Sequence, residues 1–145
     1  MHKYFFTLTV SLLFPTITVA EIVGLDCTLN ETFKRNGWKY KKMEEPITLK
    51  FDVDTTKEVI HTLYNKSENV EDTYNANLTP SSLTWEYEDP EEETESYFFK
   101  KYYVLIDRDT LSIGRRWTKL SPKKAENGAH SGSCEVVERK RKNKF

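Results

Sequence analysis

The chain has 145 residues, with 22 basic and 23 acidic side chains and a formal net charge of −1 at neutral pH. This length is typical of one domain. A near-neutral total gives no long-range field that would draw the protein to nucleic acid or to a membrane surface. We therefore expect a single domain, for which nucleic acid is an unlikely partner.

The first element is an apolar segment with the features of a cleaved export signal. Lys3 precedes an apolar run at residues 4–14, Pro15 interrupts the run, and small residues lead up to Ala20. A membrane-spanning helix needs about 20 apolar residues, so the run is too short for an anchor, whereas its length and flanks fit a signal peptide. We predict that residues 1–20 are removed and that the mature domain is periplasmic or secreted, without a membrane span. A buried first strand or helix of the mature domain is the alternative.

Two cysteines remain in the mature chain, Cys27 near its start and Cys134 near its end. Exported proteins keep disulfides, and two cysteines allow only one pairing. Closing so long a loop stabilises a fold by about 4–5 kcal/mol in the chain-entropy treatment. Two buried free thiols or two metal ligands are the alternatives, but only two histidines accompany them in the mature chain, so we predict a disulfide and no metal.

Alternation of apolar and polar residues is the main structural signal in the rest of the chain, and it predicts strands. The alternating segments are residues 25–29, 47–53, 83–87 and 111–117, and residues 134–137 end the series. Residues 97–106 are apolar on both faces. They predict a central strand, with a bend or bulge near Lys100 and Lys101.

Residues 55–64 are the ambiguous segment. Their first four residues could cap a helix, but the β-branched residues Val59 and Ile60 favour a strand. With strand signals roughly every 8–15 residues, we predict an all-β domain over residues 21–138. About seven or eight strands would form an antiparallel meander that closes into a small barrel or sandwich.

A polar link at residues 107–110 joins two strong strand signals and predicts a hairpin. We expect Arg108 to fix this turn by pairing with Asp107, Asp109 or another nearby carboxylate. This role is structural.

Charged residues are concentrated in a few segments. Residues 86–95 hold seven acids and no base. They lack the ligand spacing and the glycine of a calcium-binding loop, so a solvated loop is the simpler interpretation. Residues 139–145 form a basic tail, which is typical of a mobile terminus.

A second basic cluster alternates with aromatic residues. Its candidate partner-binding residues are Lys34, Arg35, Trp38 and Tyr40. Basic and aromatic side chains together can bind single-stranded nucleic acid, but export removes the protein from most nucleic acid. An envelope protein, a cell-wall polymer or an anionic membrane surface is the better candidate partner.

The sequence shows no catalytic constellation. Ser131-Gly132-Ser133 lacks the first glycine of a Gly-x-Ser-x-Gly nucleophile turn, and we interpret it as a flexible link into the last strand. We assign no catalytic, metal-binding or cofactor-binding residue and predict no cofactor. Asn-x-Ser/Thr triplets, the acceptor sites for N-glycosylation, begin at Asn30, Asn65 and Asn77.

Three short motifs carry a resemblance to known proteins: Ile106-Asp107-Arg108-Asp109-Thr110, Gly132-Ser133-Cys134 and Lys144-Phe145. The chain resembles short exported bacterial proteins of unknown function, which share a cysteine soon after the signal, an I-[DN]-R-x-[ST] hairpin, a Gly-x-Cys and a final Lys-Phe. Through its Gly-x-Cys and the position of Cys27 it is also similar to the periplasmic inhibitors of c-type lysozymes. That resemblance implies a small β-barrel with a disulfide between its first and last strands, although the inhibitors' Ser-Gly-rich loops are not evident.

These observations favour an exported, non-enzymatic binding or inhibitory module. A barrel would offer its mouth or interior to an apolar small molecule. One alternative is a small hydrolase that uses carboxylates of residues 86–95 or the pair Asp107 and Asp109. The other is an envelope or virion structural component that acts by self-association.

Overall fold

The computed structural model describes residues 21–34, 40–89, 99–120 and 125–139. The predicted signal peptide, the acidic segment beyond Asp89 and the basic tail beyond Arg139 lie outside the described residues. Within these ranges the protein is all-β and contains no helix. No described segment is therefore a helix of the length and apolarity that crossing a membrane requires.

In the described part of the chain, nine antiparallel strands form one sheet that curls into a nearly closed barrel. The strands are β1 (Ile22–Lys34), β2 (Tyr40–Asp54), β3 (Val59–Leu63), β4 (Val70–Asn75), β5 (Asn77–Leu78), β6 (Ser82–Asp89), β7 (Phe99–Asp107), β8 (Ser112–Leu120) and β9 (Ala125–Val137). This confirms the predicted fold class. The strand number is slightly higher than predicted, because β4 is mostly polar and exposed and β5 has two residues, so neither has an apolar alternation.

The strand order is β4-β3-β2-β1-β9-β8-β7-β6-β5, which places the first and last strands side by side in the middle of the sheet. Cys27 and Cys134 are directly opposite each other in this pairing. They form a disulfide across a sequence separation of 107 residues, with Cα atoms 4.0 Å apart. The predicted pairing is confirmed, and it joins two short meanders, β1–β4 and β5–β9, into one barrel.

Inward-facing residues of the predicted strand segments form one apolar core. Its members are Leu25, Cys27, Leu29, Phe51, Val53, Ile60, Leu83, Trp85, Val104, Ile106 and Ile113. Phe51 and Trp85 meet edge to face across the interior, with ring centroids 5.0 Å apart. The core therefore draws side chains from both meanders.

The register shifts of the sheet are not at the position that the sequence predicted. The pairing of β7 with β6 and with β8 runs through Lys100 and Lys101 without a shift of register, so the predicted bulge is wrong. Register shifts lie instead in β1, between Leu29 and Glu31, and in the pairing of β3 with β4, between Thr62 and Leu63. Residues 55–58 form a turn and β3 follows, so the preferred strand interpretation of the ambiguous segment is confirmed.

The Ser-Gly-Ser segment is part of β9, not a flexible link before it. Gly132 is opposite Leu29 next to the shift in β1. A Cβ atom at Gly132 would collide with the backbone of Thr28, so this position needs glycine for β1 and β9 to approach. The close approach gives the residue a role in pairing rather than in flexibility.

Hydrogen bonds between side chains and the backbone hold the turn at residues 107–110. The Asp107 carboxylate accepts hydrogen bonds from the amides of Asp109 and Thr110, at 2.9 and 3.0 Å, and these bonds lower the pKa of Asp107. Arg108 donates from its guanidinium to the carbonyl oxygen of Thr79, which lies in the link between β5 and β6. Among the described residues, its partner is thus a carbonyl rather than the expected carboxylate.

Candidate functional site

A second interior layer lies between the apolar core and the upper end of the barrel, where β1, β6 and β8 end. On each of three neighbouring strands, one inward residue belongs to the core, and the next inward residue toward the upper end is aromatic or basic. The pairs are Trp85 and Tyr87 on β6, Val104 and Tyr102 on β7, and Ile113 and Arg115 on β8. Together with three further inward residues they form the aromatic–basic cluster, whose members are Tyr87, Lys100, Tyr102, Arg115, Trp117 and His130.

Three tyrosine rings form a continuous stack at one side of this cluster. Tyr87 lies 4.8 Å from Tyr102 and 5.3 Å from Tyr74, with interplanar angles of 16° and 29°. Tyr74 belongs to β4 and Tyr87 to β6, and these two strands face each other across the seam of the barrel without backbone pairing. The stack therefore joins the two sides of the seam through side chains.

Arg115 is the centre of the cluster. Its Nη1 donates to the hydroxyl of Tyr87 at 3.3 Å, and its Nη2 lies 3.4 Å from Nδ1 of His130. Its guanidinium carbon lies 4.7 Å from the ring centroid of Tyr102. The arginine is 8% exposed, and its Nε is buried with no hydrogen-bond partner in the described structure.

His130 is held in its neutral form by its surroundings. Burial, followed by the charges of Arg115 and Lys100, lowers its pKa from 6.5 to about 4. A neutral imidazole keeps a lone pair on one ring nitrogen, so Nδ1 can accept the hydrogen bond that Arg115 donates. This arrangement gives the arginine a partner that carries no negative charge.

Trp117 lies at the side of the cluster that faces β9. It is opposite Gly128 in the sheet pairing, and a Cβ atom at Gly128 would collide with the indole ring. The ammonium of Lys100 lies 4.8 Å from the Trp117 ring and 5.1 Å from the Tyr102 ring. Glycine at position 128 therefore gives the tryptophan the space it occupies beside the two cations.

The wall of the barrel is open between β2 and β6. β3 pairs with β2 only from Lys50 to Asp54, and β5 pairs with β6 only at Leu83 and Thr84. The described upper parts of β2 and β6 therefore each have one hydrogen-bonded neighbour. Between them lies a cleft of about 610 Å³, which we call the side opening.

The side opening has an aromatic floor and an acidic rim. Phe51, Tyr74 and Tyr87 line the floor, and Lys50 is the basic residue among the lining side chains. The carboxylates of the lining are those of Glu71, Asp72, Glu88 and Asp89. Lys50 is bound to Glu68 at 3.1 Å, so it adds little positive charge to the rim.

Tyr74 couples the floor of the side opening to its rim. Burial, and then the charge and hydrogen bond of Asp72, raise the pKa of Tyr74 to about 12. The phenol therefore stays protonated at neutral pH beside the Asp72 carboxylate, at the mouth of the cleft.

The predicted partner-binding residues are not brought into this site by the described structure. Arg35 and Trp38 lie outside the described residues, and for Lys34 and Tyr40 only the backbone is described. Phe33, which is opposite Tyr40, lines a concave surface of about 820 Å³ whose lining also includes Tyr102 and Trp117 of the aromatic–basic cluster. The signal that sequence reasoning missed is the change from apolar to polar inward residues along β7 and β8.

Arg139 was predicted to begin the basic tail, but its side chain is anchored on the barrel. Its Nη2 lies 2.8 Å from the carboxylate of Asp26, and its Nε lies 2.9 Å from that of Asp52. Burial lowers the pKa of Arg139, but the bonds with both carboxylates outweigh burial and raise it overall. The described residues contain no group of three or more side chains suited to hold a metal ion.

The chain matches no protein-family model, and no curated protein matches it. Among solved structures, a mutant of the vaccine antigen transferrin binding protein B from Haemophilus parasuis Hp5 is similar, with a TM-score of 0.47 and 15% sequence identity. The similarity covers 83% of this chain and 27% of that chain, so the protein spans about a quarter of that antigen's length.

Proposed function

We propose that this protein is an exported, non-enzymatic binding module that holds a positively charged segment of its partner in the side opening. The observation that carries the proposal is the cleft of about 610 Å³ between β2 and β6, with its tyrosine floor and acidic rim. Clefts of roughly 300–1,000 Å³ with aromatic lining and a few polar groups are typical of binding sites.

The chemistry of the side opening selects for positive charge. Tyr74 is at the end of the tyrosine stack, so one face of its ring is not covered by another ring of the stack. Such a face attracts an ammonium or guanidinium group, and the rim carboxylates form charge-assisted hydrogen bonds with the same groups. A basic segment of an envelope protein supplies both kinds of contact. The rigid barrel holds the cleft in shape before the partner arrives, which lowers the entropic cost of binding.

The disulfide supports the exported location. Disulfides persist in oxidising compartments such as the periplasm and the extracellular space, and this one joins the two meanders of the barrel. The apolar run at residues 4–14 supplies the matching export signal in the sequence.

A binding role fits the described carboxylates better than the hydrolase alternative does. A general acid needs a raised pKa, whereas the pKa of Asp107 is lowered by the hydrogen bonds of its turn. The apolar recess inside the barrel is also a poor site for an apolar ligand, because it is small. The apolar recess near Leu25 and Leu111 measures about 170 Å³, below the usual range of ligand pockets.

The export part of the proposal is tested by mass spectrometry of the mature protein from separated cell fractions of an expressing bacterium. We expect a chain that begins at Glu21, found outside the cytoplasm with both cysteines oxidised. A chain that retains residues 1–20, or reduced cysteines in a cytoplasmic fraction, would contradict export.

The binding part is tested with two charge-reduced variants of the mature domain. Glu71→Gln with Glu88→Gln removes two charges from the rim of the side opening. Glu44→Gln with Glu45→Gln removes two from an exposed part of β2 outside the cleft. Both are titrated with a fluorescent hexa-arginine peptide, and a hexaglutamate peptide serves as the negative control.

We expect the rim variant to bind hexa-arginine about tenfold more weakly than the wild-type domain, because two charge-assisted contacts are lost. The β2 variant should bind as the wild type does. Equal weakening in both variants would mean that overall charge, not the side opening, attracts the peptide. Absence of binding to the wild-type domain would also refute the proposal.

A further inference from the structure

Arg115 is a buried cation whose described partners are all uncharged. They are the Tyr87 hydroxyl, the His130 imidazole and the Tyr102 ring. A guanidinium has five N–H donors, and the Nε donor of Arg115 is buried and unused. A charge is costly to bury without an opposite charge, so the arrangement lacks an acceptor that would complete it.

Lys100 places a second cation beside Arg115. Its ammonium lies 5.1 Å from the centroid of the Tyr102 ring, and the Arg115 guanidinium lies 4.7 Å from the same centroid. Other charged side chains described on this inward face include Asp89, opposite Lys100, Lys119, two residues beyond Trp117, and Lys41, which is opposite Thr32 as His130 is. Among the described side chains, these groups leave an excess of positive charge on this inward face.

We propose that Arg115 and Lys100 form a binding site for an oxyanion, a carboxylate or phosphate group. Oxyanions carry only acceptors, and they match the unused donors of a guanidinium and an ammonium. The half-buried ring of Trp117 lies beside Lys100 and forms one side of the proposed site.

His130 supports the same assignment. Its pKa of about 4 has burial as its largest cause, with Arg115 and Lys100 next. An anion bound between these cations would offset their charge and raise the pKa of His130. The site would then take up a proton with its ligand as the pH falls, and oxyanion affinity would increase toward acidic pH.

This site is separate from the side opening, where the lining is acidic. The two share Tyr87, which lines the side opening and accepts the hydrogen bond from Arg115. The oxyanion proposal therefore does not depend on the binding of a basic segment.

The first experiment is calorimetric titration of the mature domain with benzoate and, separately, with inorganic phosphate, at constant ionic strength. The two probes distinguish a carboxylate site from a phosphate site. The test variant is Arg115→Met and the matched control is Arg116→Met. Arg116 is the next residue on β8 and lies 4.8 Å from the Tyr103 ring on the outer face.

We expect Arg115→Met to weaken binding of the preferred probe by about 10- to 100-fold, because a charged hydrogen-bonding partner is lost. Arg116→Met should bind as the wild type does. If neither probe binds the wild-type domain, or if both variants lose affinity equally, the proposal is wrong.

A second measurement needs no variant, so it stands if Arg115→Met fails to fold. The pKa of His130 is measured by nuclear magnetic resonance in the wild-type domain, with and without the probe at matched ionic strength. A rise of the pKa when the probe is present supports the site. An unchanged pKa at saturating probe overturns it.

Discussion

The two interior layers of the barrel differ in chemistry although they are adjacent on the same strands. On β8, Ile113 is buried among apolar side chains, whereas Arg115, two residues further, is buried among aromatic rings and a neutral histidine. An apolar side chain stabilises the fold once it is removed from water, and it needs no specific partner. A buried guanidinium needs acceptors for its donors. The apolar layer therefore stabilises the fold, whereas the layer around Arg115 has a hydrogen-bond donor without an acceptor.

The largest expected effect separates these layers by stability. Ile113→Ala should lower the free energy of unfolding by about 3 kcal/mol, because it leaves a cavity in the apolar core. Arg115→Met should change it by less than about 1 kcal/mol, because an apolar side chain of similar length replaces a buried charge. Urea unfolding of both variants measures the difference. Equal losses would show that Arg115 is as much a part of the core as Ile113.

A glycine pair tests how tightly the upper layer is packed. Gly128→Ala should lower the free energy of unfolding by about 2 kcal/mol, because the added methyl group displaces the Trp117 ring. Gly114→Ala is the control, since no atom lies within 4 Å of a Cβ at that position. Thermal unfolding compares the two, with tryptophan fluorescence reporting the displacement of Trp117. A tolerated Gly128→Ala would indicate that the upper layer is loosely packed.

The smallest expected effect is a dependence of stability on pH. The pKa of His130 is about 4 in the folded protein and near 6.5 when its surroundings are lost. Between these values the unfolded chain binds a proton that the folded protein does not, so the free energy of unfolding falls as the pH drops from 6.5 to 4. We expect the free energy of unfolding to fall by about 1 kcal/mol over this range, since the partly exposed ring of His130 is partly screened by solvent.

His130→Gln should remove this part of the pH dependence while keeping an acceptor near Arg115. His61→Gln on β3 is the control, because the ring of His61 bonds Thr73 far from the cluster. Denaturant unfolding at pH 4.5 and pH 7 gives the comparison. If His61→Gln removed the dependence and His130→Gln did not, the assignment to the upper layer would be wrong.

Local patterns predicted the core and missed most of the candidate sites. The alternation of Leu49, Phe51 and Val53 identified both the strand and its buried face, because a strand turns every second residue to the same side. Arg115 follows the same alternation, but in sequence it is an ordinary charged residue between Gly114 and Arg116. Its burial depends on Tyr102 and His130, which come from two other strands.

The side opening was likewise beyond sequence reasoning. It exists because the β3–β4 hairpin is shorter than β2, and β5 is shorter than β6. Such a gap depends on which strands are neighbours, and the strand order of the barrel is a long-range property. The acidic residues Glu88 and Asp89 were recognised as a cluster, but the partner carboxylates on β4 come from a segment with no strand signal.

The amino-acid sequence by itself determined that the protein is all-β, that one disulfide joins Cys27 to Cys134, and which residues of the longer strands face inward. These properties follow from the two-residue period of a strand and from the count of cysteines, both of which are local. Only the tertiary structure decided the full strand order and the register of β1 on β9, that the wall opens between β2 and β6, and that Arg115 is buried without a described negative partner. The physical reason is that charge, burial and access at a site are set by side chains that meet in space from distant parts of the chain.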